Sequence, residues 1–371
     1  MTMRRGDQTV LRARLGAQLL DDRERLTPAQ VVSRLLAMQA QDFSSGLWAI
    51  GARSGGAVVA DVLGALEDGS IVRSWPMRGT LHFVAAEDLG WMMRLGAPRV
   101  RSAIAARHRQ LGLDAETFSR SRSIAEHVLS GNRRATRDEL MVAHQQAGIP
   151  TIGQRGPHLV MELAMTEVVC WGPPAGTQQA LVLSEEWITS PRDLDPDEAL
   201  GEFVVRYLTG HGPATLADFT WWSKLTVAQA RRGLDVAAAR VVESVDDGVS
   251  RWSTAEQAAS GPPVRATSRV LALPGFDELL LGYRDRSLVL EPEHADLIVP
   301  GGNGIFLPLI TVDGRIVGTW RRRVTSSGVT ITPAPFRPLS QRVQAGVRRA
   351  GADYGRFLGL PTTVSDEQPL D

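Results

Sequence analysis

Residues 70 to 84 read Ser70-Ile71-Val72-Arg73-Ser74-Trp75-Pro76-Met77-Arg78-Gly79-Thr80-Leu81-His82-Phe83-Val84. Two runs rich in β-branched and aromatic residues flank a turn at Pro76-Met77-Arg78-Gly79, which predicts a strand, a tight connection and a second strand. Three helices are expected upstream. Val10 to Leu20 carries Leu11, Leu15, Leu19 and Leu20. Thr27-Pro28-Ala29-Gln30 offers a Thr N-cap, a Pro at the first helical position and a Gln that closes a capping box. Val31, Val32, Leu35, Leu36 and Met38 then recur at helical spacing. Val58 to Leu66 follows Gly55-Gly56. Helix, helix, helix, hairpin is the order of a winged helix-turn-helix.

The same order returns twice. In the second copy, helices are expected at Ser123 to Leu129, from a capping box at Thr136-Arg137-Asp138-Glu139 to about Ala147, and at Pro157 to Glu167. Val168 to Trp171 and Leu181 to Leu183 then read as wing strands around Gly172-Pro173-Pro174. In the third, Ala199 to Leu208, Leu216 to Ser223 and a helix opened by Thr226-Val227-Ala228-Gln229 precede a hairpin around Asp246-Asp247-Gly248. Gly261-Pro262-Pro263 reads as a linker. Beyond it, Arg269 to Leu273, Ile305 to Val312, Arg315 to Val324 and Val329 to Thr332 read as strands, with a hairpin signal at Asp313-Gly314. Gln341 to Leu358 is a closing helix, and the tail from Pro361 is expected to fray. The fold class is therefore α+β. Three tandem winged helix-turn-helix motifs (segments 1–95, 118–190 and 195–260) precede a small C-terminal β-barrel with its helix (265–360).

The 371 residues allow two or three domains with ample core. Cys170 is the only cysteine, which excludes an internal disulfide or a cysteine-rich zinc site and fits a reducing cytoplasm. Met1 to Asp7 lacks a following apolar stretch, so no signal peptide is expected, and no apolar run reaches membrane-spanning length. Formal net charge is zero, a mild argument against a nucleic-acid partner. Distribution counts for more than the sum. Lys224 is the only lysine, and Arg99, Arg101, Arg107, Arg109, Arg120, Arg122, Arg133, Arg134 and Arg137 fall in one stretch. Coding bias toward arginine is the plainer explanation; a basic face for phosphate is the functional one.

Catalytic templates are mostly absent. There is no phosphate-binding loop and no dinucleotide fingerprint. The seven histidines are scattered, with no metal spacing. One segment stands out, Met38-Gln39-Ala40-Gln41-Asp42. Gln39 continues the apolar row of Val32 and Leu35, where another hydrophobe is expected. Residues two apart share a side only on extended backbone. For Gln39 and Gln41 to act together, the helix must therefore end near Met38 or Gln39. The plainer reading is that Gln39 satisfies helix-end carbonyls and Gln41 faces water. Two further segments carry a choice between structure and DNA contact. Arg78 and His82 belong either to a wing hairpin whose Trp75 packs the core or to a phosphate-contacting tip beside the glutamines. Arg321-Arg322-Arg323 is either a solvated strand end or a hairpin gripping DNA backbone.

These residues carry a resemblance. Gln39-Ala40-Gln41, Trp75-Pro76-Met77-Arg78-Gly79-Thr80-Leu81-His82 and Leu273-Pro274-Gly275-Phe276-Asp277-Glu278-Leu279-Leu280 resemble the AlkZ/YcaQ-like bacterial DNA glycosylases, in order, through nearly the whole chain. The resemblance implies three winged helices in a C shape with a C-terminal β-barrel. It also implies a monofunctional hydrolase that cleaves N-glycosidic bonds of alkylated purines with no cofactor or metal. One branch carries Gln-x-Asp. The other carries Gln-x-Gln and unhooks interstrand crosslinks left by the natural product azinomycin B. Gln41 places this chain in the Gln-x-Gln branch, although Asp42 follows immediately and its part stays open. The implied catalytic residues are Gln39 and Gln41, and the DNA contacts are Arg78, His82, Arg321, Arg322 and Arg323. The implied partner is double-stranded DNA carrying alkylated purines or crosslinks, bound by a cytoplasmic, nucleoid-associated monomer. A crosslinked base cannot swing freely, so an open, arginine-lined groove is expected and not a closed base pocket.

Two other classes remain open at this stage. A non-enzymatic winged-helix regulator would read DNA without cleaving it. A protein-interaction scaffold would suit the neutral charge.

Overall fold

A computed structural model describes residues 4–21, 25–176, 178–261 and 269–365. Pro262 and Pro263 of the expected linker lie outside them. The chain forms two compact units. One holds Met1–Val62, Val204–Trp222 and Ala237–Asp371; the other holds Leu63–Phe203 and Ser223–Val236. Both are discontinuous, whereas the segments expected from sequence are consecutive.

In the first unit, three helices open the chain, the second and third capped by side chains. Arg5–Ala17 comes first. Pro28–Leu35 follows, with the expected capping box between Thr27 and Gln30. A helix not anticipated from sequence, Phe43–Gly51, starts at Asp42. Its signal lies in Asp42, since Asp is a strong N-cap.

The C-terminal strands form one sheet in the order Thr362–Val364, Gly328–Pro335, Arg315–Thr325, Leu309–Val312, Val270–Leu273. The Asp313-Gly314 turn has φ of 50° and 80°, as a two-residue hairpin turn requires. The expected barrel needs correcting. The two edge strands do not pair with each other, so among the described residues the sheet is open and curls over the helix Gln341–Leu358. The expected frayed tail is corrected as far as residue 365, the remainder lying outside the described residues. Thr362–Val364 runs parallel to Val329–Ile331, a β-helix-β crossover made possible by the long intervening helix. The core of this unit joins its sequence ends, since Leu11, Leu15 and Leu20 pack with Leu273, Leu279, Leu280, Leu309 and Ile316.

Beneath this core lies a buried polar network. Arg53 is bidentate to Asp277, with both bonds at 2.8 Å and both side chains fully buried. Arg53 Nε also donates to the Gln18 carbonyl at 3.0 Å. Gln18 donates to the Tyr283 hydroxyl at 3.1 Å, and Arg14 lies 3.8 Å over the Tyr283 ring and pairs with Asp218 at 3.3 Å. Glu278 accepts from Trp222 at 2.8 Å and contacts His211 at 3.2 Å.

In the second unit the first two hairpins join in one sheet. Ile71–Met77 pairs with Thr80–Ala85, Val169–Ala175 pairs with Gln178–Leu183, and the two hairpins join through Arg73 opposite Trp171. Pro76 and Pro173 sit at register shifts, where a ladder donor is not needed. The core beneath contains Leu81, Leu129, Leu140, Leu163, Val169 and Leu181. The second-copy helices are Ala115–Leu129, Arg137–Gln146 and Arg155–Met165. Leu89–Gln110, a long helix passing through the expected boundary at 95, was not read from the sequence. It carries Pro98, and most of its second half is exposed, so no apolar stripe marks it. Its Gly96 is dictated by contact, because an added Cβ would lie 2.0 Å from the Pro76 carbonyl oxygen.

The third copy follows its expected order. Its helices are Pro196–His211, Leu216–Ser223 and Val227–Val236, and its hairpin is Val241–Asp246 with Val249–Thr254 around Asp247-Gly248.

Truncating one partner of a buried pair leaves the other charge unpaired, at a cost of about 3–5 kcal/mol. Arg53→Ala is expected to lose stability on that scale in urea unfolding. Arg122→Ala, which removes an exposed helix pair with Glu126, is expected to lose less than about 1 kcal/mol. Equal losses would show that the Arg53–Asp277 pair has no special weight.

Candidate active site

The Gln-x-Gln segment is set by the residues before and after it. The helix Pro28–Leu35 stops earlier than the apolar spacing suggests. Leu36 takes φ 65° and ψ −51°, and the Ala37 N–H donates to the Leu35 carbonyl at 2.8 Å. This is a γ-turn of the rare positive-φ kind. A non-glycine residue held there costs roughly 1–3 kcal/mol, which the surroundings must offset. Leu36 is fully buried, and that burial supplies part of the offset.

One residue therefore converts helix to extended chain. Met38 and Gln39 are extended. Burial then alternates: Met38 and Ala40 are fully buried, Gln39 is half-buried and Gln41 is exposed. The two glutamines thus share the accessible side of the backbone, as period-two geometry requires. The helix ends earlier than the expected stop near Met38 or Gln39, and the consequence for Gln39 and Gln41 is the one sought.

Asp42 closes the segment. Its Oδ1 accepts from the Ser45 N–H at 2.6 Å and from the Ser44 hydroxyl at 2.9 Å. Burial pushes this carboxyl up, but the hydrogen bonds from Ser45 and Ser44 and the charge of Arg322 outweigh it and hold it below its ordinary range. The helix it caps is locked from behind. Trp48 donates to the Ala272 carbonyl at 2.8 Å and meets Tyr354 and Phe357 with ring centroids 5.1 Å apart. Gly51 is required there, because an added Cβ would lie 2.4 Å from the Phe357 ring.

The arginine triplet divides. Arg321 and Arg323 are exposed, whereas Arg322 is half-buried and donates to Ser44 Oγ at 2.7 Å. Arg322 also lies 3.8 Å from Asp42. The structure thus brings Arg322 to the residue that follows Gln41.

In the second unit, Arg78 and Gly79 have φ of 60° and 70° and form the hairpin turn between Met77 and Thr80. His82 is fully buried. Its Nδ1 meets the Thr80 carbonyl at 2.8 Å and its Nε2 meets Arg78 Nη2 at 2.9 Å. A guanidinium only donates, so Nε2 accepts and the proton sits on Nδ1. His82 is therefore closed off from solvent and braces Arg78 from behind. Lys224 was missed by sequence reasoning. Burial and then the charges of Arg78 and Arg99 lower its pKa, which marks three neighbouring cations. Most of the arginine-rich stretch is committed elsewhere: Arg101 to Glu162, Arg107 to Gln154, Arg120 to the Ala147 carbonyl and Arg134 to Glu67.

Among the described residues, one group of side chains could hold a cation, namely Glu291, Glu293 and His294. Arg315 reaches Glu291 at 3.1 Å and Arg337 reaches Glu293 at 2.6 Å, so these carboxylates are already neutralised by arginine. The first unit also encloses a pocket of about 250 Å³ and a cleft of about 1120 Å³, and neither is lined by Gln39 or Gln41. Among the described residues no helix is long and apolar enough to cross a membrane.

Comparison with known proteins bears on this arrangement. The family model described as DNA glycosylase AlkZ-like matches residues 32–357. The curated interstrand DNA cross-link repair glycosylase of Streptomyces sahachiroi is 27% identical over 336 residues, covering 87% of this chain and 89% of that protein. The solved structure of Streptomyces sahachiroi DNA glycosylase AlkZ aligns with a TM-score of 0.80 at 24% identity, over 96% of this chain and 99% of that one. The latter is a likeness of fold, with mixed helix and sheet throughout. The chain is an enzyme of the DNA glycosylase class. It belongs to the AlkZ-like DNA glycosylase family.

Asp42 gives a direct test of the cap. Asp42→Ala is expected to lose about 1 kcal/mol, whereas Asp42→Asn, an equally good cap, loses far less. The folded-state pKa is depressed, so the ionised cap stabilises above the unfolded value. That contribution disappears as pH falls through the folded value. Unfolding curves of wild type and Asp42→Asn should therefore converge in acid, and a constant gap would refute the assignment.

Proposed function

We propose that this glycosylase hydrolyses the N-glycosidic bond of N7-alkylated guanine in double-stranded DNA, including guanines tied into interstrand crosslinks. The observation that carries the reading is the shared accessible side of Gln39 and Gln41. The name of the Streptomyces sahachiroi relative supports the crosslink substrate.

The chemistry suits amides. Alkylation at N7 makes guanine cationic, so the base departs neutral as the C1′–N9 bond breaks and takes the bonding electron pair. The sugar becomes oxocarbenium-like, water oxygen bonds to C1′, and the water proton leaves to solvent. Little acid catalysis is needed; the enzyme must stabilise positive charge and place a water. The carbonyl oxygens of Gln39 and Gln41 do both, by facing the sugar cation and accepting a water proton. Neither is basic enough to remove the proton fully. No metal or cofactor and no second, lyase step is required, so the enzyme is monofunctional.

We assign the DNA contacts to Arg78, Arg321 and Arg323, with His82 behind Arg78 and Arg322 turned toward Asp42 and Ser44. The three helix-and-hairpin segments act as winged helices toward DNA, in a cytoplasmic, nucleoid-associated monomer.

Base release from duplexes carrying N7-methylguanine or an azinomycin-type crosslink, read as alkali-labile sites, tests this reading. Gln39→Ala and Gln41→Ala should each slow release by about 10²-fold or more, with DNA affinity retained. Arg321→Ala and Arg323→Ala should weaken binding and each flatten its salt dependence by a slope of about 1. Unchanged release in the double glutamine variant would sink the catalytic assignment. No release from either lesion by wild type would leave a DNA-binding regulator.

A further inference from the structure

We propose that Arg322 and Asp42 form a positioning pair that holds the Gln39–Gln41 segment against the strand Arg315–Thr325, so that hydrolysis depends on Arg322 more than DNA affinity does. The proposal rests on the glycosylase reading above.

On an extended strand, alternate residues face opposite sides. Arg321 and Arg323 are exposed, and Arg322 between them faces inward, with a side chain 19% exposed. Its guanidinium lies 5.7 Å from the Tyr354 ring centroid. Tyr354 packs edge-on against both Trp48 and Trp320. Trp320 belongs to the same strand as Arg322, and its indole donates to the Leu273 carbonyl at 2.8 Å. Trp48 belongs to the helix capped by Asp42. Arg322 thus sits where the strand, the Gln341–Leu358 helix and the first turn of the Phe43–Gly51 helix converge.

Asp42 is committed in two directions. One carboxylate oxygen takes the Ser45 N–H and the Ser44 hydroxyl and faces Arg322. A carboxylate engaged in this way anchors its backbone. Upstream, the γ-turn at Leu36 fixes the other end of the segment. The stretch from Ala37 to Gln41 is therefore pinned at both ends, and its buried residues, Met38 and Ala40, hold its inner side. Catalysis by a placed water is sensitive to misplacements on the order of 1 Å. A phosphate contact, by contrast, acts through charge and tolerates such shifts. Arg322 therefore differs in kind from the two arginines beside it.

The test compares single-turnover base release and DNA affinity on one N7-methylguanine duplex, for wild type, Arg322→Ala, Arg322→Lys, Asp42→Asn and the Asp42→Asn/Arg322→Ala double variant. Arg322→Ala is expected to slow release about tenfold or more, while Kd changes less than about twofold and its salt dependence keeps its slope. Arg322→Lys, which restores the charge opposite Asp42, should recover part of the rate. The double variant should be no slower than Arg322→Ala alone, because the two residues act as one unit. Melting curves accompany every variant, and if Arg322→Ala melts early, Asp42→Asn and Arg322→Lys at wild-type melting temperature carry the comparison. A wild-type release rate in Arg322→Ala with weakened, salt-flattened binding would make Arg322 a phosphate contact and overturn the proposal alone. Absence of release by wild type would overturn the glycosylase reading and the proposal together.

Discussion

A buried guanidinium must meet a carboxylate, and in this protein that requirement ties distant sequence together. Arg53 lies in the turn just past the helix Phe43–Gly51, and Asp277 lies in the loop after the first strand of the C-terminal sheet. Their bidentate pair, with no exposure on either side, fixes that helix to that sheet. Arg14, Gln18, Asp218 and Tyr283 extend the same logic to the first helix and to the middle of the chain. Such a network gains little over an apolar core when complete and costs heavily when broken. Its effect is to allow one arrangement of these segments, since any other leaves a charge buried alone.

The glutamine segment inherits its place from that arrangement. Trp48 and Gly51 press the Phe43–Gly51 helix onto the C-terminal helix, and Asp42 caps the end that remains. The γ-turn at Leu36 then has only a few residues in which to bring the chain out of the preceding helix. Its backbone cost is sustained by burial on all sides, as expected where local geometry serves the site.

Arginine content, by contrast, is a poor guide to where uncommitted positive charge lies. The stretch from Arg99 to Arg137 reads as basic, yet many of its members are spent on Glu162, Glu67, Glu126, Gln154 and backbone carbonyls. A guanidinium with five donors satisfies helix ends and loops as readily as phosphates. Sequence alone does not distinguish these uses. The same holds for the triplet Arg321 to Arg323, where only the pleat of the strand separates the inward residue from its neighbours.

By itself, the sequence determined the features that depend on near neighbours. Capping boxes at Thr27, Thr136 and Thr226, the turns at Arg78-Gly79, Asp247-Gly248 and Asp313-Gly314, and the helix Gln341–Leu358 all follow from bonds within a few residues. The Gln-x-Gln motif was legible for the same reason. What only the tertiary structure decided depends on partners far along the chain. The joining of two hairpins into one sheet, the open curl of the C-terminal strands and the parallel return of Thr362–Val364 each rest on long-range backbone pairing. So does the fate of each polar side chain. His82, Arg322 and Asp42 took their roles from what packed against them, because hydrogen-bonding capacity is local but burial is not.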